Sequence, residues 1–158
     1  MTGNLFRGRQ NMPDNSSLNY AGDLQPEDAW TLLKGDPNAV LVDVRTAPEW
    51  AFVGVPDLAS LGRSAVLLEW QKYPAMQVSP SFAEDLQREA HGLAQKDTPV
   101  LFLCRSGGRS RAAAIATTKA GFSRAYNIAG GFEGDLDTEG HRGRKNGWKA
   151  AELPWRQS

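Results

Sequence analysis

One cysteine in this chain stands where an apolar run meets charge and glycine: Leu101-Phe102-Leu103-Cys104-Arg105-Ser106-Gly107-Gly108-Arg109-Ser110. Arg111-Ala112-Ala113-Ala114-Ile115-Ala116 follows and reads as a helix. The order is strand, nucleophile, anion cradle, helix. Backbone N–H groups in such a loop converge on an anion, and a helix N-terminus adds partial positive charge. That setting favours the thiolate over the thiol. A lone cysteine at a strand end is often only a small buried hydrophobe. Two arginines and two glycines directly after Cys104 have no use beside an inert thiol, so the pattern reads as a thiolate facing an anionic substrate. Gly107 and Gly108 also suit a plain strand-to-helix turn, which is the turn that points N–H groups inward.

The other phosphate-binding loops do not fit. There is no Gly-x-Gly-x-x-Gly, and Gly107-Gly108-Arg109-Ser110 lacks the lysine of a Walker loop. Four residues separate Cys104 from Arg109, and Ser110 follows the arginine. This resembles the active-site loop of the rhodanese family, sulfurtransferases that carry sulfur as a cysteine persulfide. The related cysteine phosphatases place five residues between their Cys and Arg, a wider loop that fits tetrahedral phosphate.

Two further stretches carry the resemblance. Asp43-Val44-Arg45 followed by Glu49-Trp50 is similar to the family's Asp-x-Arg…Glu-Trp/Tyr segment. The family continues with Gly-His-Ile-x-Gly-Ala, whereas this chain has Phe52-Val53-Gly54-Val55-Pro56-Asp57 and no histidine. Gly130-Gly131-Phe132 resembles the family's glycine-pair turn, and Trp148 and Leu153-Pro154 resemble its ending. Between them lies an extra segment, Glu133 to Asn146, acidic first (Glu133, Asp135, Asp137, Glu139) and then basic (His141, Arg142, Arg144, Lys145).

The elements that must position these residues alternate. Residues 1–17 are rich in Asn, Gly, Ser and Arg without periodicity and are expected to be a mobile tail; residues 18–158 form one domain. Leu18–Ala21 is expected as a short first strand. A helix starts at Pro26 with acids in its first turn and ends at Gly35-Asp36-Pro37. Ala39–Val44 is a continuous apolar run, as in a strand covered on both faces. Ala65–Trp70 is the next strand, and Ser79-Pro80-Ser81-Phe82 opens a helix to about Leu93. Pro99–Leu103 is the central strand, Ser110–Ala120 the following helix with Gly121 just beyond it, and Arg124–Ile128 the last strand. Alternation implies an α/β domain with a mostly parallel sheet and ligands at the carboxyl ends of its strands. The resemblance implies the rhodanese-like three-layer fold, a central mostly parallel five-stranded sheet with helices on both faces.

Composition narrows the function classes. With 158 residues, 18 basic and 18 acidic, the net charge is zero and gives no reason to expect nucleic acid. No apolar run approaches the roughly 18 residues of a membrane span, and the first residues lack a signal peptide's apolar core. A single cysteine excludes a disulfide framework and points to a reducing, cytoplasmic compartment. One Cys with distant His91 and His141 makes no metal site, and no cofactor is implied. Trp30, Trp50, Trp70, Trp148 and Trp155 have no cofactor-like spacing and are expected in the core or an interface.

The resemblance implies a cycle. The Cys104 thiolate takes sulfur from a donor such as thiosulfate, releases sulfite, and passes the sulfur from its persulfide to cyanide or a thiol, including a protein thiol. With no second cysteine, the persulfide has no internal thiol to collapse onto. The expected substrate-binding residues are Arg105, Ser106, Gly107, Gly108, Arg109 and Ser110. Arg105 is assigned to the donor's sulfonate, and Arg109 to bracing the loop against Asp43 or Glu49. Asp43, Arg45 and Glu49 are the supporting residues: Asp43 as a strand-end capping carboxylate, Arg45 either as a structural partner of Glu49 or in a catalytic role. Alternatives are a persulfide carrier serving a protein partner and, disfavoured by loop length, a cysteine phosphatase or arsenate reductase. Two readings of the extra segment stand side by side: it reaches the mouth of the Cys104 site with Arg142 and Arg144 facing anions, or it is a solvated loop whose mixed charges keep it soluble.

Overall fold

The apolar runs pair side by side. The computed structural model describes residues 18–90, 93 and 95–157. The expected N-terminal tail and His91 lie outside the described residues. In chain order the elements are β1 (Gly22–Leu24), α1 (Pro26–Gly35), β2 (Val40–Asp43), α2 (Ala47–Phe52), β3 (Val55–Pro56), β4 (Val66–Leu67), β5 (Gln71–Lys72), β6 (Gln77–Val78), α3 (Phe82–Glu89), β7 (Val100–Leu103), α4 (Gly108–Lys119), β8 (Ala125–Ile128) and β9 (Trp155–Arg156). Five strands form one sheet in the order β1-β8-β7-β2-β4, and every neighbouring pair is parallel. The fold is the expected α/β architecture, with β7 at the centre.

Central position explains the unbroken apolar spelling of β7. All four of its residues are buried, because both faces of the sheet are covered. Phe102, Cys104, Val42, Phe82, Leu86, Ala113 and Phe122 share one core. Leu101, Leu103, Leu33, Ile128, Phe132 and Trp148 share the other. Helix α4 brings Ala113 and Ala114, both fully buried, against β7 and β8; small side chains let the helix axis approach the sheet. Trp148 is the largest fully buried side chain, and its indole N–H donates to the Pro154 carbonyl at 2.8 Å. Trp155, by contrast, is 36% exposed.

Several boundaries differ from the sequence expectations. The first strand is Gly22–Leu24 rather than 18–21, because the register is set by pairing with Tyr126, Asn127 and Ile128 of β8. Tyr20 turns into the core instead, with its hydroxyl on Asp23. The strand expected over 65–70 narrows to Val66–Leu67, although Leu68 and Trp70 still donate to the Asp43 and Val44 carbonyls. Helix α3 stops at Glu89, where Ala90 leaves helical geometry. Helix α4 starts at Gly108, two residues early, so Arg109 and Ser110 lie on its first turn. Ile128 ends the parallel sheet but not the strands, since β9 pairs antiparallel with β3. That pair and the β5–β6 hairpin are two residues per strand, too short to leave a periodic signal.

Candidate active site

Cys104 follows the last residue of β7, and the loop 104–107 turns directly into α4. The turn needs Gly107, whose φ is +124° with ψ −13°, a conformation closed to residues bearing a Cβ. Gly107 is the residue before the first turn of α4, and its N–H donates to Cys104 Sγ at 3.1 Å. The Ser110 hydroxyl lies 3.2 Å from the same sulfur. Cys104 is 2% exposed, so little water competes for its sulfur. Of the N–H groups expected to converge on the sulfur, that of Gly107 lies within hydrogen-bond reach, and the Ser110 hydroxyl is in contact with the sulfur.

Arg109 braces the loop against Glu49, one of its two expected partners. The pair is bidentate, at 2.8 and 3.0 Å, and joins α4 to α2. Glu49 is held in place from its own helix, because the Thr46 N–H and hydroxyl donate to its Oε1 at 3.1 and 2.9 Å. Burial pushes the Glu49 carboxyl up, but the Arg109 and Thr46 hydrogen bonds and the Arg109 charge outweigh it and lower it to about 2. The hydrogen bond to Glu49 correspondingly raises Arg109. Helix α2 is an addition to the expected elements. Its signal is there: Thr46-Ala47-Pro48-Glu49 is a capping-box spelling with proline in the first turn.

Arg45 does not pair with Glu49. It is fully buried and binds Asp43 through Nε and Nη2, the latter at 2.6 Å. Nη2 also donates to the Gly54 carbonyl at 2.7 Å, and the guanidinium lies 4.2 Å above the Phe132 ring. Asp43 is thus more than a strand-end cap. It holds an arginine that ties β2, the start of β3 and the glycine-pair turn together beside the loop. A carboxylate two residues away on the same strand end is the nearer partner, and Glu49 is already taken by Arg109.

Arg105 carries an exposed side chain, with Ser106 half-buried beside it and Gly108 exposed. Its carbonyl accepts the Glu133 and Gly134 N–H groups at 3.0 and 3.1 Å, while Phe132 N–H donates to the Cys104 carbonyl at 2.7 Å. The glycine-pair turn is therefore a second wall of the cysteine loop. A Cβ on Gly131 would meet the Cys104 carbonyl oxygen at 2.5 Å and the Arg105 carbonyl carbon at 2.6 Å. The extra segment does reach the loop, through Glu133 and Gly134. Its arginines are otherwise engaged: Arg142 donates to the Gly134 carbonyl at 2.6 Å, and Arg144 to Glu139 at 3.2 Å. His141 is exposed near Asp137 and Glu139, but Asp137 accepts the Glu139 and His141 N–H groups, as a turn held by its own hydrogen bonds does.

Two residues of this site were not singled out in the sequence. Asn127, 1% exposed on β8, accepts the Ser110 hydroxyl at 2.5 Å. Its Nδ2 donates to Asp23 of β1 at 3.0 Å. Neither residue has a local signal, since each lies far along the chain from Cys104.

A rhodanese-like domain model matches residues 25–137. The chain belongs to the rhodanese-like domain family. It is 36% identical over 127 residues to an uncharacterized protein of Rickettsia conorii, covering 80% of this chain and 90% of that one. It is 30% identical over 112 residues to the thiosulfate sulfurtransferase GlpE of Actinobacillus succinogenes, covering 71% and 81%. Among solved structures, Rv0390 from M. tuberculosis superposes with a TM-score of 0.78 at 51% identity, over 88% of this chain and 99% of that one. The rhodanese-like match embraces β2, α2, β7, α4 and β8 and with them Asp43, Glu49, Arg109, Asn127 and Cys104, which directly follows β7.

Proposed function

We infer that this rhodanese-like protein is a sulfurtransferase working through a Cys104 persulfide. The observation that carries this is the geometry of a four-residue loop. Cys104 Sγ accepts the Gly107 N–H at 3.1 Å, and Arg109, at the far end of the loop, is turned away to Glu49. An arginine fully paired with a carboxylate suits loop architecture better than phosphate grip, and the Gly107 N–H at the start of α4 is aimed at the sulfur.

The Cys104 thiolate attacks the outer sulfur of thiosulfate or another sulfane-sulfur donor. The donor S–S bond breaks, and its electron pair leaves with sulfite. The negative charge then rests on the outer sulfur of the Cys104 persulfide. Cyanide or a thiol, a protein thiol among them, attacks that outer sulfur, and the electron pair returns to Sγ. Sulfite departs as a stable anion, so the first step needs no general acid. The N–H groups of the loop and the N-terminus of α4 stabilise the charge that moves between the two sulfurs. Arg105, with its exposed side chain beside the loop, is the group we assign to the donor's sulfonate. The single cysteine supports a reducing compartment, the cytoplasm, and among the described residues no helix is long and apolar enough to cross a membrane.

Intact-mass analysis after thiosulfate treatment tests the reading. One added sulfur on the wild-type chain is expected, discharged by an acceptor from a panel of cyanide, glutathione, dithiothreitol and thioredoxin. Cys104→Ser is expected to lose both the adduct and turnover. Sulfur transfer retained by Cys104→Ser, or robust aryl-phosphate hydrolysis lost with it, would overturn the assignment.

A further inference from the structure

A hydrogen-bonded line runs from the surface to the nucleophile: Asp23 to Asn127 to Ser110 to Cys104. Asn127 Nδ2 is 3.0 Å from Asp23 Oδ1, Asn127 Oδ1 is 2.5 Å from Ser110 Oγ, and Ser110 Oγ is 3.2 Å from Cys104 Sγ. Ser110, Asn127 and Cys104 are all at most 2% exposed. Asp23 and Asn127 face each other because β1 and β8 are parallel neighbours with those two residues in register.

Proton counting gives the line a direction. A carboxylate only accepts, so Asp23 fixes the Asn127 amide with its NH2 outward and its oxygen toward Ser110. The Asn127 oxygen also only accepts, so the single hydroxyl proton of Ser110 is drawn to it. Ser110 then offers lone pairs to the sulfur. That arrangement suits a neutral thiol, whose S–H can donate to Ser110, and it is tolerated by the neutral inner sulfur of a persulfide, a weak acceptor that loses little without a donor. It does not suit a thiolate, which needs a donor. When Sγ is ionised, Ser110 has one proton and two acceptors, and a buried acceptor is left short either way.

We propose that Asp23, through Asn127, is a positioning residue that sets the Ser110 hydroxyl against the free thiolate and so biases Cys104 toward holding transferred sulfur. The Gly107 N–H keeps the thiolate accessible for attack, while the line makes the unloaded anion the less comfortable of the two states. This rests on the reading of Cys104 as the nucleophile. The charged and titratable groups around the line are Arg109 and Arg111 on α4, both of which feel the Cys104 charge, and Tyr20, whose hydroxyl donates to Asp23 and accepts from Arg111 Nε.

Asp23→Asn tests the proposal, because an asparagine can donate as well as accept and lets the Asn127 amide turn over. Its NH2 then faces Ser110, whose proton is released to the sulfur. Iodoacetamide alkylation reads Cys104 alone, as the chain has one cysteine. The pH midpoint of alkylation is expected to fall by about one unit in Asp23→Asn, the effect of one hydrogen bond to a charged group. Asn127→Leu, which removes the competing acceptor without changing charge, is expected to shift it the same way. With a fixed thiosulfate-to-sulfite ratio and Cys104 ionised, persulfide occupancy by mass spectrometry is expected to fall about tenfold relative to free enzyme. Removing the Asp23 charge alone also favours a thiolate, so the comparison is repeated in Ser110→Ala. There the Asp23→Asn shift is expected to collapse. The same shift with and without the Ser110 hydroxyl, or no shift in Asp23→Asn and Asn127→Leu, overturns the proposal. Failure of wild-type Cys104 to take sulfur from thiosulfate is the separate result that removes the nucleophile reading and this one with it.

Discussion

Arg109→Ala isolates what the Arg109–Glu49 pair does for the fold. The pair is bidentate, and the two side chains are 21% and 22% exposed, so screening by water is partial. The Glu49 carboxyl falls from 4.5 to about 2 on folding. Unscreened, that fall corresponds to about 3 kcal/mol. Some of it belongs to the Thr46 donors, which the substitution keeps, and some is lost to solvent. We therefore expect Arg109→Ala to cost about 2 kcal/mol at neutral pH, a melting temperature lower by about 4–8 °C for a chain of this size. The pH dependence carries the sign. A carboxyl held below its unfolded value stabilises the fold fully above about 4.5, and that contribution drains away as pH falls toward about 2. The gap between wild type and Arg109→Ala should be widest above pH 5 and should close on acidification. Thermal melts followed by circular dichroism from pH 3 to 7 measure it. A gap that is absent at neutral pH, or that stays constant down to pH 3, would refute the view that this pair clamps α4 to α2.

Arg105→Ala should leave the melting temperature within about 1 °C and raise the thiosulfate KM, since its exposed side chain packs nothing away; the reverse pattern in the two arginines exchanges their roles. Gly131→Ala should destabilise by about 2–4 kcal/mol, because its Cβ meets backbone of the cysteine loop at a φ of +65°. Gly140→Ala, at φ +80° with nothing within 4 Å, should cost only about 1 kcal/mol, and equal melting temperatures for the two variants would deny the wall formed by Gly131. Replacing residues 139–145 with a short Gly/Ser link should leave the parallel sheet intact and alter donor KM or acceptor preference, as steady-state kinetics across the acceptor panel will show; unchanged kinetics would make the segment a bystander.

The sequence alone determined the chemistry of the loop and the order of the main elements. Cys104, Gly107, Arg109 and Ser110 are neighbours on the chain, so their spacing is itself a geometric statement. The apolar spelling of β2 and β7 announces strands covered on both faces, and Pro26 with its acidic first turn announces α1. The capping box of α2 is equally legible in the sequence. What the tertiary structure decided is who faces whom across strands. Arg109 chose Glu49 rather than Asp43, and Arg45 chose Asp43 rather than Glu49, because α2 and α4 meet at the strand ends while Arg45 folds beneath them. Gly131 became a wall of the cysteine loop, and Asp23 came to the third hydrogen bond from the sulfur, only when β1 settled beside β8 and β8 beside β7. Hydrophobic patterns fix which face of a strand is buried, but strand order is chosen by packing the whole sheet, and contacts between residues separated by 104 positions follow from that order alone.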